Sequence, residues 1–238
     1  MGPTGSGKTG VAIKIAKKID GEIISADSRA IYKYMDIGTA KPSMREMDGV
    51  VHYGLDLVEP GERFTVADWK EYAEQKICSI MSSGKTPIIV GGTGLYIDAL
   101  IFGYSFTQEA KNTYADRKKI DDRFRVFGIQ VETEQLRKRL KTRIDKMFVQ
   151  DLFDETRFLA DRYGWNSQAM KSNVYQFAWK YMNGEVSLDE AKEKSFYDDW
   201  HLAKRQMTWF KRNHKIRWLP LEQIESAVLK CIQDEQRK

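Results

Sequence analysis

This 238-residue sequence has only two cysteines, no long apolar run and no repeated segment. Its two cysteines, Cys78 and Cys231, lie far apart without metal-ligand spacing, which suits a reducing compartment. No stretch approaches the ~18 consecutive apolar residues of a membrane span, and none resembles a signal peptide. There is also no internal repeat or low-complexity tract. We therefore expect a soluble, cytoplasmic protein that does not associate with membranes.

What is present is the composition of a globular protein with a basic excess. Hydrophobic residues make up 42% of the chain, enough to bury a core in one large domain or two small ones. The formal net charge is +5, and the charge is unevenly placed. Residues 204–217 hold six Lys or Arg residues and no acid. Such a segment favours a polyanionic partner, although a solvated helix face is the usual alternative.

The first motif occupies residues 2–9, which read Gly-Pro-Thr-Gly-Ser-Gly-Lys-Thr and match the phosphate-binding pattern G-x-x-x-x-G-K-[ST]. In this pattern the loop amides surround an anion, Lys8 reaches the outer phosphate, and the Thr9 hydroxyl can hold Mg²⁺. The apolar spacing that follows predicts a helix whose N-terminus points at the same anion. The alternative is a Gly-rich surface turn. We expect a phosphorylated ligand.

Alternating strands and helices follow the loop. Gly21–Ala26 predicts a strand that ends at Asp27, residues 66–81 have helical apolar spacing, and residues 87–90 predict a buried strand that runs toward Thr93. The fold class is therefore α/β, with a P-loop NTPase-like parallel sheet flanked by helices and a helical C-terminal half. Because ligands gather at the carboxyl ends of parallel strands, Asp27 and Thr93 should share an edge with the loop.

The domain organisation follows from the charge pattern. Residues 1–106 form the α/β core, residues 107–123 are a charged linker or short exposed helix, and residues 124–238 complete the same domain. Within the last part, residues 125–131 predict a strand that returns to the sheet, and residues 216–219 predict a last short strand. Phosphate loops normally follow a buried strand, and only Met1 precedes this one. We expect either a longer natural chain or a core that dispenses with that strand.

Two side chains at strand ends carry the chemistry. Asp27 could take a proton from a substrate or help to hold a metal, although a helix N-cap or turn aspartate is an equally good interpretation of its position. Phosphoryl-transfer enzymes of this class usually hold Mg²⁺ partly through an Asp at a strand end. The second strand instead runs into Gly-Gly-Thr-Gly, where Thr93 cannot act as a carboxylate ligand. This pattern argues against an ordinary kinase without excluding it.

Basic side chains on two predicted helices could bind anions. Arg143 lies at the edge of the apolar face of the helix predicted over residues 133–148, and an inward Arg needs an anionic partner. That partner is either a structural carboxylate or a ligand phosphate. The cations of the helix around residues 203–210 face either nucleic-acid phosphates or solvent, and these residues alone favour a solvated face. The cations concerned are Lys204, Arg205, Lys211 and Arg212.

Six segments together resemble the tRNA dimethylallyltransferases, also called tRNA isopentenyltransferases. They stand in family order and are most specific around Asp27 and Asp36; the resemblance is dense over residues 1–106 and looser over residues 125–219. The segments are residues 2–9, 25–32, 35–42, 64–69, 91–96 and 203–210.

The resemblance implies transfer of a dimethylallyl group from dimethylallyl diphosphate to the exocyclic amine of an adenosine beside the tRNA anticodon. Pyrophosphate is released, and the adenine must flip out of its stack. The resemblance makes Asp27 the general base at the amine, with Thr93 helping to align it. It assigns the diphosphate to Thr4, Gly5, Ser6, Gly7, Lys8, Thr9 and Arg143, with Mg²⁺ at Thr9. It assigns the tRNA anticodon stem-loop to Asp27, Ser28, Arg29, Ala30, Lys204, Arg205, Lys211 and Arg212.

The chain departs from the family pattern in three places. Residues 107–123 stand where members carry a helical insertion, the family's Gly-Tyr-Arg element reads Val-Tyr-Gln at residues 174–176, and the first strand is absent. These departures spare the reaction centre but remove expected RNA contacts. Three other interpretations stay open: an adenylate dimethylallyltransferase that uses free nucleotides, a P-loop kinase of a small metabolite, and a weakly active RNA-binding remnant. We expect a monomer.

Overall fold

Two small parallel sheets organise the α/β half of the molecule. The computed structural model describes residues 1–106, 120–165, 167, 169–170 and 173–237. In the first sheet β1 (Gly21–Ala26) lies between β2 (His52–Tyr53) and β3 (Thr86–Gly91). In the second sheet β4 (Phe127–Gln130) pairs with β5 (Arg217–Pro220). All of these pairings are parallel, as the alternating pattern predicted.

The sequence predicted that the strand over residues 125–131, now β4, hydrogen-bonds to the first sheet, and this prediction is wrong. Within the described residues β4 pairs with β5 and with Met1. The terminal amine of Met1 donates to the Phe127 carbonyl at 2.8 Å, and the Met1 carbonyl accepts from the Ile129 N–H at 3.0 Å. Because a ladder requires several paired residues on each side, this single residue extends the β4 pairing without joining β4 to β3.

Helices cover both sheets and build the C-terminal half. The predicted helices over residues 66–81 and 133–148 are confirmed as α3 and α5, and the predicted strands over residues 21–26 and 87–90 as β1 and β3. In chain order the helices are α1 (Lys8–Lys18), α2 (Met44–Met47), α3 (Val66–Ser82), α4 (Gly94–Ile101), α5 (Thr133–Met147), α6 (Gln150–Tyr163), α7 (Asn173–Met182), α8 (Leu188–Phe210) and α9 (Leu221–Gln236).

Local side-chain caps explain why the long helices begin where they do. Before α3, the Thr65 hydroxyl accepts from the Asp68 N–H at 3.2 Å, and the Asp68 carboxylate accepts from the Thr65 N–H at 2.7 Å. Ser187 and Glu190 form the same reciprocal arrangement at the start of α8. Each such box satisfies two amides that have no partner within the helix, and so fixes the first turn.

Two hydrophobic clusters lie on either side of the region where α8 crosses the molecule. The first joins β1, α3 and α4 around Trp69 and includes Phe210 from the end of α8. The second joins α5, α6, α7 and the start of α8 around Leu152 and Tyr175, and also buries Met35 from the loop after β1. A segment between β1 and β2 is therefore anchored in the helical half.

Two further expectations concern the linker and the membrane. The charged linker predicted at residues 107–123 lies mostly outside the described residues, which resume at Ile120. None of the described helices is both long enough and apolar enough to cross a bilayer.

Candidate functional site

A cavity of about 420 Å³ opens at the carboxyl ends of β1 and β3. We call it the central cavity. Its lining includes the phosphate loop, Asp27 after β1, Thr93 after β3 and Arg143 from α5. The expectation that both strand-end residues share an edge with the loop is confirmed. Residues that the sequence analysis did not assign to the site complete the lining, among them Gly38, Thr39, Ala40, Lys41, Pro42, Asp199 and Gln206.

The phosphate loop takes its shape from glycines and from one remote side chain. Gly5 and Gly7 have φ of 75° and 86°, a left-handed backbone that glycine adopts without steric cost. Gly7 caps α1, so the helix begins at Lys8 and directs its N-terminus toward the cavity. The Thr4 N–H donates to Gln206 Oε1 of α8 at 2.8 Å. The loop is thus ready to receive an anion.

Two cations stand against this loop. The Lys8 ammonium donates to the Pro3 carbonyl at 3.3 Å, and the Arg143 guanidinium donates to the Thr4 hydroxyl at 2.5 Å. The pKa of Lys8 is lowered to about 8, mainly by burial; Asp27 opposes this shift and the Arg143 charge adds to it. A lowered lysine pKa indicates a site that is short of negative charge, which a bound phosphate would supply.

Asp199 on α8 interacts electrostatically with Arg143 but forms no ion pair with it in the described structure. Asp199 is buried, one of its oxygens has no hydrogen-bond partner in the described structure, and burial raises its pKa while Arg143 opposes the shift. Arg143 Nε also lacks a partner among the described residues. The sequence left a structural carboxylate and a ligand phosphate open as partners of Arg143. In the described structure Arg143 contacts the Thr4 hydroxyl and forms no ion pair with a carboxylate, which leaves its charge available to a ligand.

Asp27 lines the cavity and also caps its own turn. One carboxylate oxygen accepts from the Arg29 N–H at 2.8 Å and from the Ala30 N–H at 3.4 Å. This is the turn role that was weighed against catalysis, and Asp27 fills it while also lining the cavity. Thr93 does not hold Asp27 directly: its hydroxyl accepts from the Ser28 N–H at 3.0 Å. Any alignment by Thr93 therefore acts through Ser28.

The remaining predicted residues separate into two groups. Ser28, Arg29, Ala30 and Arg205 line the cavity. Ser6 does not, because its side chain is fully buried and its N–H donates to the Pro3 carbonyl. Three cations lie outside the cavity on the solvent side, with Lys204 over the Trp200 ring, Arg212 over the Trp209 ring and Lys211 exposed at the end of α8.

A wall of the cavity is built by residues 38–42. They belong to a loop of residues 36–42, here called the wall segment, which sequence reasoning did not connect to the site. The Glu155 carboxylate on α6 accepts from the N–H groups of Asp36, Ile37 and Gly38 at 3.0, 2.9 and 3.1 Å. The Tyr175 hydroxyl donates to the same carboxylate at 2.5 Å. One side chain thereby satisfies three consecutive amides of an irregular loop.

Two more features hold the wall segment in place. A Cβ on Gly38 would lie 2.4 Å from the Tyr175 ring, so only glycine allows this approach. The Lys41 side chain is 5% exposed and its ammonium pairs with Asp36 and Asp56 at 2.6 Å each. The lysine therefore closes the segment into a compact turn whose residues face the cavity.

Comparison with known proteins identifies the family. Residues 30–123 and 105–213 match the family model described as IPP transferase. A tRNA dimethylallyltransferase of Acetivibrio thermocellus is 38% identical, with 95% of this chain and 92% of the relative covered. The chain belongs to the IPP transferase family. A tRNA dimethylallyltransferase of Staphylococcus haemolyticus is 34% identical, with 96% and 88% covered. The crystal structure of a tRNA isopentenylpyrophosphate transferase from Bacillus halodurans is similar with a TM-score of 0.86 at 28% identity, covering 98% of this chain and 94% of that one.

Within the aligned region this chain is shorter than its relatives. The alignment with the Acetivibrio thermocellus protein spans 287 positions, whereas this chain has 238 residues, so about fifty or more positions have no counterpart here. The expected lack of most of the family's helical insertion stays a prediction. The resemblance derived from the motifs and the α/β fold class are both confirmed by the family match and the structural likeness.

The residues that line the central cavity fit a metal ion that is coordinated mainly by the oxygens of a bound diphosphate and by water. Among the described residues no group of three or more His, Cys, Asp or Glu could hold an ion. Thr9 lines the cavity one residue after the start of α1. Mg²⁺ commonly keeps several waters and binds through few protein oxygens together with phosphates, so a lone hydroxyl beside a diphosphate fits it.

Proposed function

We propose that this protein transfers a dimethylallyl group from dimethylallyl diphosphate to the exocyclic amine of the adenosine next to the anticodon in tRNA, releasing pyrophosphate. The observation that carries the proposal is one cavity with a cationic phosphate end and a single strand-end carboxylate, Asp27. A kinase of this class would need an acid after β3, where the chain has Gly-Gly-Thr-Gly. The names of this chain's relatives support transfer of the dimethylallyl group to tRNA.

The chemistry requires charge to develop at one end of the cavity. As the amine nitrogen bonds to the allylic carbon, that carbon's bond to oxygen breaks and its electron pair goes to pyrophosphate. Lys8, Arg143 and the N-terminus of α1 stabilise this charge, because they are fixed in a partly buried site before the reaction begins. Thr9 would hold Mg²⁺, which adds positive charge at the leaving oxygens.

The other end of the cavity handles the proton. The amine gains a bond to carbon and loses one proton, which the Asp27 carboxylate accepts. The turn hydrogen bonds from Arg29 and Ala30 keep this carboxylate at the end of β1 and leave its second oxygen for substrate. Thr93 contributes by fixing Ser28. Because the amine lies inside an RNA stack, the adenosine must flip to reach Asp27.

Exposed cations on α8 and beyond would contact RNA phosphates. Arg205 both lines the cavity and belongs to this basic set, so it stands where the flipped nucleotide would leave the RNA. Lys211 and Arg212 lie further along and would contact the backbone of the stem. The acceptor is therefore proposed to be tRNA rather than a free nucleotide, with the protein acting as a monomer.

The test offers one labelled donor to competing acceptors. Purified protein is incubated with radiolabelled dimethylallyl diphosphate and either unmodified tRNA, AMP or a small-molecule mixture with ATP, and the products are separated by size. We expect label on tRNA, located by nucleoside mass spectrometry at the adenosine next to the anticodon. Label on AMP would identify a free-nucleotide transferase, ATP turnover would identify a kinase, and RNA binding without product would identify an inactive remnant.

A further inference from the structure

Two exposed aromatic rings touch each other on the surface beside the wall segment. Tyr34 is 41% exposed and Phe158, on α6, is 44% exposed. Their ring centroids lie 5.6 Å apart at an interplanar angle of 73°, an edge-on contact. Burying such rings would be favourable, so their exposure is a cost of the isolated molecule. We call this pair, together with Arg162, the aromatic platform.

Arg162 adds a planar cation to the platform. Its guanidinium carbon lies 5.1 Å from the Tyr34 ring centroid, 5.8 Å from that of Phe158 and 5.3 Å from that of Tyr163. None of the ion pairs within the described residues includes Arg162. The nearby Glu59 carboxylate is instead engaged by the Tyr163 hydroxyl and by Lys33. The guanidinium is therefore free to stack or to bind an anion.

The backbone holds Tyr34 outward at a conformational cost. Its φ is 63°, a left-handed value that is unusual for a bulky side chain. The segment on its N-terminal side is pinned, because the Lys33 N–H donates to the Val58 carbonyl at 2.9 Å and Tyr32 bridges to Val58. A strained residue that presents an aromatic ring to solvent is a reason to look for a ligand.

The platform is close to the central cavity by chain geometry alone. Residues 27–30 and 38–42 both line the cavity, and Tyr34 lies four residues from Ala30 and four from Gly38. A fully extended chain advances at most ~3.6 Å per residue, so the Tyr34 Cα lies within about 14 Å of each. A nucleotide whose neighbour occupies the cavity would be within reach of Tyr34.

We propose that the aromatic platform stacks an unpaired base of the RNA, a close neighbour of the adenosine that enters the cavity. This inference rests on the proposed function, since it takes RNA as the acceptor. Single-stranded loops are recognised by stacking their splayed bases on aromatic rings and on guanidinium planes, and the platform offers both. In this chain it compensates for RNA contacts that the shortened sequence lacks.

The left-handed backbone of Tyr34 allows a variant that separates binding from folding. Tyr34→Gly removes the ring and at the same time relieves the positive φ, so its melting temperature should be unchanged or higher. Its affinity for an anticodon-arm RNA should fall by about 5- to 100-fold, the loss expected when one base loses its stacking partner. Phe158→Ala should have an effect in the same range. Affinity for inorganic pyrophosphate should not change in either variant.

A matched control and an altered RNA sharpen the experiment. Tyr197 on α8 is 45% exposed and outside the platform, so Tyr197→Ala should leave RNA affinity unchanged. Replacing in turn each nucleotide that flanks the reactive adenosine by an abasic one should weaken wild-type binding at one position. At that position Tyr34→Gly should cause no further loss, because the stacked base is already missing.

The outcomes are distinguishable from those of the transfer assay. RNA affinity that is unchanged in Tyr34→Gly and Phe158→Ala, or that falls equally in Tyr197→Ala, would overturn the platform even if tRNA is prenylated. A change in sedimentation of Tyr34→Gly with unchanged RNA binding would show that the rings serve a protein contact instead. Absence of product with normal, platform-dependent RNA binding would count against the proposed reaction and not against the platform.

Discussion

The phosphate loop and the wall segment close two sides of the same cavity, but different physical devices hold them. The loop depends mainly on left-handed glycines and a helix start that lie within eight consecutive residues, and Gln206 adds one remote contact. The wall segment has no such internal pattern and takes its shape from Glu155, more than a hundred residues later. The comparison indicates that the backbone of the loop is set mainly by its own residues, with remote contacts from Arg143 and Gln206, whereas the wall segment depends on correct docking of the helical half.

The largest effect is expected from a change at Asp27, whose carboxylate lies in the cavity that the phosphate loop and the wall segment share. Asp27→Asn keeps an oxygen for the Arg29 and Ala30 amides but is not a base, so the turn should survive. Transfer should fall by about 10²- to 10⁴-fold, the usual value of general-base catalysis, with pyrophosphate affinity nearly unchanged. Single-turnover rates and calorimetry would measure the two quantities. A wild-type rate would remove Asp27 from the mechanism.

The donor end should respond alone when its ammonium is removed. Lys8→Ala deletes a charge-assisted contact to phosphate and should weaken pyrophosphate binding by about 10- to 100-fold. RNA affinity should change little, because the wall segment does not contact Lys8 through any hydrogen bond in the described structure. Arg143→Ala should behave in the same way. A lower melting temperature with normal donor affinity would instead make Arg143 a structural residue.

The wall segment should respond to a residue that lies outside the motifs. Glu155→Gln removes the charge and one acceptor from three amides and the Tyr175 hydroxyl, which should cost about 1–2 kcal/mol of unfolding free energy. We expect a several-fold rise in the KM for RNA with pyrophosphate affinity preserved. Tyr175→Phe, which keeps the carboxylate and its amide bonds, is the milder control. Equal loss of donor and acceptor binding would contradict the division.

The smallest effect on RNA binding is expected from the exposed cations at the C-terminal end of α8. Charge reversal of Lys211 and Arg212 should flatten the dependence of log RNA affinity on log salt by about 0.7–0.9 for each RNA phosphate that is no longer neutralised. Donor binding should be untouched, since neither residue lines the cavity. Reversal of Arg205 should differ, because it lines the cavity and should also impair transfer. RNA binding that is insensitive to salt would show that this surface is only solvated.

Sequence patterns predicted well wherever the cause of the structure is local. The loop motif and the 3.6-residue spacing of α3 and α5 each depend on contacts within a few residues. The strand ends at Asp27 and Thr93 were also placed correctly relative to each other, because parallel strands direct their carboxyl ends to one edge. The two-residue β2 was missed, since so short a strand has no periodicity.

What the sequence could not decide depends on long-range contacts. Glu155 is one of several acids on an amphipathic helix, and nothing in its neighbourhood distinguishes it from those that face water. The same holds for Arg205, whose position at the cavity depends on how α8 crosses the loop. The sequence alone thus determined the phosphate-loop motif, the position of Asp27 at a strand end and the family, because these are carried by contiguous motifs. The tertiary structure alone decided which remote side chains fix the wall and complete the cavity, because hydrogen bonds between distant segments leave no periodic trace in either one.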